Sequence, residues 1–281
     1  MAVSLVGLHC RTSDRTAAAE RGVTELETLV AKRLGREPRA IGSFSAPRES
    51  GWEDDLDDGR GCLLEAGGQV EDALTGANVP VLLAAECSIG LTTLPAVHRH
   101  RPDAKVLWLD AHGDFNTPDT SPSGYLGGMS LAGACGRWDA GLVPDAADPA
   151  KVVLAGVRAL DPPEREALES SSVTVIGASP VETLVAVSNA LDRAPVYVHL
   201  DLDVIDPEQM PAQHPEPEGL TAEKLLDVLE AVAETSELVG LEVTCFESPE
   251  DAEERQQIAE RVMHVLEPLL AVVPEEAGVQ G

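Results

Sequence analysis

Basic residues are scarce in this chain of 281 residues. Only 20 lysines and arginines stand against 49 aspartates and glutamates, which gives a formal net charge of −29. Nucleic acids and anionic membranes repel a surface of that sign, so we expect neither as the main partner. The excess of acid is compatible with a cationic substrate or with metal ions, and it also acts as a solubilising surface.

Cysteines and long apolar runs are also few. The five cysteines lie far apart and form no CxxC pair; they are Cys10, Cys62, Cys87, Cys135 and Cys245. This spacing favours reduced thiols in a cytosol-like compartment over a disulfide framework. No apolar run reaches the roughly 18 residues of a membrane span, and the opening MAVSLVGLHC lacks the basic region of a signal peptide. We therefore expect a cytoplasmic protein.

The order of the hydrophobic segments predicts an α/β fold. Eight short runs are rich in Val, Ile and Leu without the alternation of half-exposed strands, which is typical of strands buried on both faces. They lie at residues 2–8, 40–44, 79–85, 105–110, 151–157, 173–176, 195–201 and 238–244. Amphipathic segments between them predict helices, the first of which ends before Gly35. We expect one three-layer αβα domain at 1–273 with a parallel sheet of about eight strands, and a flexible tail at 274–281.

Three segments interrupt this pattern. Residues 46–61 are acidic, contain glycine and lack the spacing of a calcium loop, so they predict a solvated loop before a helix at 63–74. Residues 116–128 and 206–219 each follow a strand directly and are rich in turn-forming residues. Because ligands bind beyond the carboxyl ends of the strands in parallel sheets, we expect these two loops at the functional site.

Acidic side chains cluster at the ends of two predicted strands. DAHGDFN places Asp110, His112 and Asp114 at alternate positions, which share one face of an extended chain. VHLDLDVIDP places Asp201 and Asp203 in the same way. Carboxylates crowded at one edge of a sheet resist ionisation unless cations compensate them. Oxygen ligands with one histidine suit manganese or magnesium, so the two motifs predict a divalent metal site.

These motifs resemble the two signature motifs of the arginase–agmatinase family, the ureohydrolases, and the resemblance extends over about residues 79–247. It implies an arginase-like fold and two Mn²⁺ ions, with Asp110 and Asp201 contacting both. Asp114 would bind one ion and orient the attacking water, and His112 and Asp203 would bind the other. Asp114 and His112 would thus take part in catalysis. Two neighbouring ions can activate a water for attack on an unreactive guanidinium carbon near neutral pH.

The resemblance also implies a set of substrate-binding residues. Asn116 and Ser123 lie in the loop where the family holds an amino-acid carboxylate. Asp161 lies in GVRALDPPE, which resembles the segment that binds an α-amino group, although a helix N-cap is an equally good interpretation. His214 would contact substrate or shuttle protons, or else be a solvated loop residue. We expect His199 to support a metal ligand rather than to bind metal itself.

Three positions depart from the family pattern. Cys87, in AAECS, stands where the family usually has a histidine ligand of the ion that Asp114 binds. A thiolate there is a softer ligand and would change the metal preference. Gly127 replaces a histidine that transfers protons in arginases, and Cys245 replaces a glutamate in the late EVTCFES segment. These changes argue against an ordinary arginase.

One branch of the family shares the cysteine at position 87 and the GYLGG loop, and it hydrolyses Nω-hydroxy-L-arginine to hydroxyurea and L-ornithine. The resemblance therefore implies an amidinohydrolase of a small guanidino amino acid, with this substrate preferred. Hydroxylation makes a guanidine less basic, so more of the substrate would be neutral and open to attack. Two alternatives stay open, namely another substrate such as arginine, agmatine or a formimidoyl compound, and an inactive metal-binding relative. The family also implies a homo-oligomer, either a trimer or a hexamer.

Overall fold

The protein is built around a single parallel sheet. The structure, a computed structural model, describes residues 2–179 and 183–273. Its strands are β1 Val3–His9, β2 Arg39–Gly42, β3 Val79–Leu83, β4 Lys105–Leu109, β5 Val152–Val157, β6 Thr174–Gly177, β7 Val196–Asp201 and β8 Leu238–Thr244. Their order across the sheet is β2-β1-β3-β8-β7-β4-β5-β6, and every pairing is parallel. The predicted eight-stranded α/β fold is confirmed.

Helices cover both faces of the sheet. They are α1 Ala17–Leu34, α2 Trp52–Thr75, α3 Gly90–His100, α4 Ser130–Ala134, α5 Pro162–Glu169, α6 Thr183–Leu191, α7 Ala222–Thr235 and α8 Ala252–Val272. One apolar core packs α1, α6, α7 and α8 on one face, and the other core packs α2, α3, α4 and α5 on the opposite face. Adjacent strand residues alternate between the two cores, as Leu107 and Trp108 do. Both faces are therefore apolar, which explains why the strands show no polar alternation.

The segment at 46–61 corrects one prediction. Only its first part is a loop, because α2 begins at Trp52 and includes the acidic run. Glu53, Asp54 and Asp55 lie in the first turn, where the helix dipole favours negative charge. Leu56, which follows them, is buried in the core. The acidic composition concealed a helix that has one buried face.

The cysteines correct a second expectation. Cys10 and Cys62 form a disulfide, with Cα atoms 6.3 Å apart, so the five thiols are not all reduced. Cys10 follows β1 and Cys62 lies on α2, and the fold brings these distant segments together. Cys87, Cys135 and Cys245 are free.

Other predictions about the chain are only partly covered by the structure. The helix predicted from about residue 181 is α6, and its first two predicted residues lie outside the described residues. The tail predicted at 274–281 also lies outside them. Within the described residues, every helix is too short or too polar to cross a membrane.

Arg11 and Asp55 form a buried ion pair that ties the segment after β1 to the first turn of α2. Arg11 Nη2 donates to Asp55 Oδ1 at 2.6 Å, and both side chains are almost fully enclosed. Loss of one partner leaves the other charge buried and unpaired, which typically costs about 3–5 kcal/mol. We expect Asp55→Ala to lower the free energy of unfolding by about that amount in urea denaturation.

Asp57→Ala is the matched control, because Asp57 lies exposed on the same helix. We expect it to change the free energy of unfolding by no more than about 0.5 kcal/mol. Equal losses in the two variants would show that the buried pair does not stabilise the fold.

Candidate metal centre and substrate cavity

The neighbouring strands β4 and β7 end in the same local structure. Their register brings Asp110 and Asp201 side by side at the carboxyl edge of the sheet. Asp110 Oδ1 accepts a hydrogen bond from the backbone N–H of His112, and Asp201 Oδ1 accepts one from Asp203, both at 2.7 Å. An aspartate that bonds the backbone two residues ahead favours a tight turn. The two motifs therefore fold back at the same place.

These turns correct the interpretation of the motifs as extended chain. Strand β4 ends at Leu109, before the DAHGDFN motif begins, and Asp203 lies in a 3₁₀ turn at Leu202–Val204. Asp114 has a φ of 49°, which is uncommon for a residue other than glycine. The side chains converge as predicted, but turns direct them and strand alternation does not.

His112 holds one side of the cluster together. Its Nδ1 lies 3.0 Å from Asp203 Oδ2 and 3.4 Å from Asp110 Oδ1. Burial by itself would lower the pKa of His112, but the negative charge of Asp203 and the bonds to both carboxylates raise it to about 12. The same contacts outweigh burial at Asp203 and lower its pKa. Positive charge is thus strongly favoured between these two aspartates.

The other aspartates lack such compensation. Burial raises the pKa of Asp114 and Asp201 well above the ordinary value, and the charge of neighbouring aspartates raises both further. Asp114 Oδ2 is buried and has no hydrogen-bond partner among the described residues. Buried carboxylates that are close together and short of donors require a cation to remain ionised. The donor set therefore fits divalent metal ions.

Cys87 lies beside both strand-end aspartates, as expected of a ligand at that position. It follows β3, is buried, and places Sγ 2.9 Å from Asp201 Oδ2 and 4.0 Å from Asp110 Oδ2. Burial raises the pKa of its thiol well above the ordinary value. A cation at this point would stabilise the thiolate form that binds metals.

His199 supports Cys87 from behind. The ring is fully buried and stacks on Trp108 with a centroid separation of 3.5 Å. Its Nδ1 lies 2.5 Å from Glu242 Oε1, and its Nε2 lies 3.1 Å from Cys87 Sγ. Glu242 also accepts a hydrogen bond from Tyr197 Oη at 2.6 Å. The imidazole is thereby fixed with one nitrogen facing the sulfur, a placement that agrees with the supporting role expected for it.

A cavity of about 690 Å³ lies over this edge of the sheet. Cys87, His112, Asp114 and Asp201 line it. The residues predicted to bind substrate line it as well; they are Asn116, Ser123, Asp161 and His214. The loops at 116–128 and 206–219 both contribute to its wall, which confirms their predicted position.

The predicted substrate residues are held in place by local contacts. Asn116 Nδ2 donates to Asp161 Oδ2 at 2.9 Å, and Asp161 is also the N-cap of α5. Both interpretations of Asp161 thus agree with its placement. His214 lies edge-on to Tyr125, with ring centroids 4.8 Å apart, and burial lowers the pKa of the histidine.

One group of residues around the cavity was not predicted as functional. Tyr125 Oη donates to the buried Glu86 and accepts a hydrogen bond from Gln213 Nε2 at 3.1 Å. The guanidinium of Arg15 lies 4.7 Å from the centre of the Tyr125 ring. A Cβ atom at Gly127 would lie 2.5 Å from that ring, so glycine at this position leaves room for the tyrosine. The GYLGG motif signalled Tyr125, whereas no pattern marked Arg15.

Glu164 is a buried carboxyl in the wall of the cavity. It accepts hydrogen bonds from the backbone N–H groups of Phe115 at 2.8 Å and Asp161 at 3.2 Å. Burial outweighs these bonds and raises its pKa from 4.5 to about 7. The folded state then binds this proton more tightly than the unfolded state, so the stability it contributes is lost as pH rises from about 4.5 to 7.

We expect Glu164→Gln to lose less stability than the native protein over this pH range, because glutamine does not ionise. The loss of stability in the native protein should exceed the loss in the variant by at most about 3 kcal/mol, because each unit of pKa shift corresponds to roughly 1.4 kcal/mol. Urea denaturation at several pH values between 4.5 and 7.5 measures it. Glu166→Gln, at an exposed position of the same helix, should follow the native profile. Identical profiles for all three proteins would contradict a raised pKa at Glu164.

The chain matches known proteins over most of its length. Residues 53–267 match the family model of the arginase family. The N(omega)-hydroxy-L-arginine amidinohydrolase of Streptomyces lavendulae is 35% identical over 270 residues, which cover 95% of this chain and 96% of that protein. An arginase of Eremothecium gossypii is 36% identical over 199 residues, which cover 64% of this chain and 50% of that protein.

A solved structure shows the same fold. The crystal structure of arginase from Bacillus subtilis aligns with a TM-score of 0.82 at 22% identity, over 96% of this chain and 98% of that chain. The match to the family model extends over more than half of the chain, and the Streptomyces relative aligns nearly end to end. The chain therefore belongs to the arginase family, the ureohydrolases, which are metal-dependent hydrolases of amidines.

Proposed function

We propose that the protein is a binuclear metal-dependent amidinohydrolase that converts Nω-hydroxy-L-arginine and water to hydroxyurea and L-ornithine. The observation that carries the proposal is the convergence of metal donors at the base of a cavity whose wall holds Asn116 and Asp161. The substrate is supported by the activity named for the Streptomyces relative, and by the cysteine and glycine at positions 87 and 127.

The proposed centre holds two divalent ions. Asp110 can share an ion with His112 and Asp203 or with Cys87, and Asp201 lies beside Cys87 and accepts a hydrogen bond from Asp203, so these two aspartates would contact both ions. His112 and Asp203 would complete one ion, and Cys87 and Asp114 the other; Mn²⁺ is the metal that the family resemblance implies. When bound, such a pair of ions lowers the pKa of a water and polarises the guanidine carbon.

Asp114 is the residue to which we assign proton transfer. Its carboxylate lines the cavity and has two oxygens, so one can bind the ion while the other accepts a proton from the attacking water. The same carboxyl can then deliver the proton to the leaving amine of ornithine. A substrate that is neutral before attack needs no prior deprotonation, which suits a hydroxylated guanidine and a site with Gly127 in place of a histidine.

The opposite wall recognises the amino-acid end of the substrate. The Asp161 carboxylate is suited to bind an α-ammonium group. It now accepts a hydrogen bond from Asn116 Nδ2, and the substrate ammonium could replace that donor. Ser123 presents a hydroxyl to the same cavity and would donate to the substrate carboxylate. His214, whose pKa burial lowers, offers a neutral imidazole near the proposed centre.

Two further features stay predictions. The family resemblance implies a homo-oligomer of three or six subunits. The cytoplasmic location also stays a prediction, and the Cys10–Cys62 disulfide removes the argument for it from reduced thiols. The acidic surface continues to argue against nucleic acid as a partner.

Ornithine release tests the proposed reaction. We expect the purified, metal-loaded protein to show a kcat/KM on Nω-hydroxy-L-arginine roughly 100-fold or more above that on L-arginine, the scale of a general acid–base effect. Equal or greater activity on arginine would identify an arginase with an altered ligand set. Absence of ornithine from both would leave another substrate or an inactive relative.

Asp110→Asn should lose metal binding and turnover together, because it removes the carboxylate proposed to contact both ions. Asp119→Asn is its control, since Asp119 is exposed in the neighbouring loop. Metal content and ornithine release should both be native-like in the control. Full activity in Asp110→Asn would overturn the assignment of the centre.

Asp161→Asn separates the two roles of that residue. Asparagine caps a helix as well as aspartate does, so the fold should be retained. Loss of the charge should raise KM for the hydroxylated substrate by about 10- to 100-fold, as expected for one hydrogen bond to a charged group, with a smaller change in kcat. An unchanged KM would show that Asp161 only caps the helix.

A further inference from the structure

Cys245 is a partly buried free thiol that has no role in the proposed mechanism. It directly follows β8, and its φ of 60° places it in the left-handed region, which is uncommon for a residue other than glycine. Its backbone N–H donates to the carbonyl oxygen of Ala85 at 3.1 Å. This conformation brings its side chain next to Cys87, and the two sulfurs are 3.7 Å apart.

The two sulfurs have the separation of ligands that share one ion. Two thiolates at about 2.3 Å from a tetrahedral metal lie about 3.8 Å apart, whereas a disulfide bond is about 2.05 Å long. The observed 3.7 Å agrees with the first value. Both sulfurs and a carboxylate oxygen of Asp201 lie within 4.8 Å of one another, which is close enough for a single ion to contact all three.

We propose that Cys245 is a direct ligand of the ion beside Cys87, so that two thiolates join the carboxylates already proposed to bind this ion, and that this position takes Zn²⁺ in preference to Mn²⁺. Thiolates are soft ligands that favour zinc over manganese. The opposite position, with His112 and Asp203, keeps the nitrogen and oxygen donors that suit Mn²⁺. The inference rests on the proposed function, because it specifies the metal of one half of that centre.

The surroundings of the sulfurs support this arrangement. Thr244 Oγ1 lies 3.2 Å and His199 Nε2 lies 3.1 Å from Cys87 Sγ. Hydrogen-bond partners of this kind commonly orient the side chains that bind a metal. On the other side, Glu86 Oε2 lies 3.8 Å from Cys245 Sγ. Acidic groups therefore face the two sulfurs, and a shared cation compensates both the carboxylates and the thiolates.

X-ray absorption at the zinc edge tests the proposal directly. We expect the protein, with its Cys10–Cys62 disulfide intact and one equivalent of Zn²⁺ bound, to show two sulfur neighbours at about 2.3 Å. Cys245→Ser and Cys87→Ser should each show one, whereas Cys135→Ser, which changes the remaining free cysteine, should keep two. One sulfur or none in the native protein would overturn the proposal.

Metal affinities provide a second readout. Competition with a chelator should show a loss of Zn²⁺ affinity in Cys245→Ser of at least about 10-fold, because altering even a residue that only contacts a metal ligand typically costs that much. Mn²⁺ affinity should change less. Cys245→Glu restores an anionic ligand without sulfur, so it should shift the preference back toward Mn²⁺. An unchanged ratio of the two affinities in both variants would contradict the inference.

The inference and the proposed function can fail separately. Ornithine release from the hydroxylated substrate with a single zinc–sulfur neighbour would leave the function standing and overturn the role of Cys245. Two sulfur neighbours without ornithine release would support Cys245 as a ligand and overturn the function. Failure of the protein to bind zinc while its Cys10–Cys62 disulfide is intact would overturn the role of Cys245, and ornithine release with Mn²⁺ would then decide the function separately.

Discussion

Negative charge concentrated at the carboxyl edge of the sheet is the constraint on which the site depends. Asp110, Asp114 and Asp201 are buried within one cluster, and burial raises the pKa of each. Asp203, a fourth member of this cluster that is bonded to His112, instead has a lowered pKa. A nearby positive charge favours the ionised form of these carboxyl groups, so binding of the proposed metal ions would also stabilise this edge of the sheet.

The fold supplies the rigidity that this crowding requires. Two apolar cores clamp the central strands from both faces, and the register between β4 and β7 sets the two aspartate turns side by side. Gly156 in β5 has a φ of 95°, and a Cβ there would lie 2.3 Å from Val204, beside the backbone of Asp110. The close packing of backbone at this position holds both turns against the sheet.

The three departures from the family pattern lie on one side of the cavity and are connected by a chain of contacts. They are Cys87, Gly127 and Cys245. Gly127 leaves room for Tyr125, whose hydroxyl donates to Glu86. Glu86 lies 3.8 Å from the sulfur of Cys245, which in turn lies 3.7 Å from that of Cys87. The three departures therefore belong to one continuous region of the cavity wall.

The sequence by itself determined the strands, the order of elements and the aspartate motifs, because these depend on local hydrophobic runs and on residues two positions apart. It did not reveal that α2 begins at Trp52, since the acidic run is polar and the buried bond from Arg11 to Asp55 joins distant segments. The Cys10–Cys62 disulfide and the approach of Cys245 to Cys87 were likewise decided by the tertiary structure. Such contacts arise where the ends of non-consecutive strands meet, and no local pattern encodes which ends become neighbours.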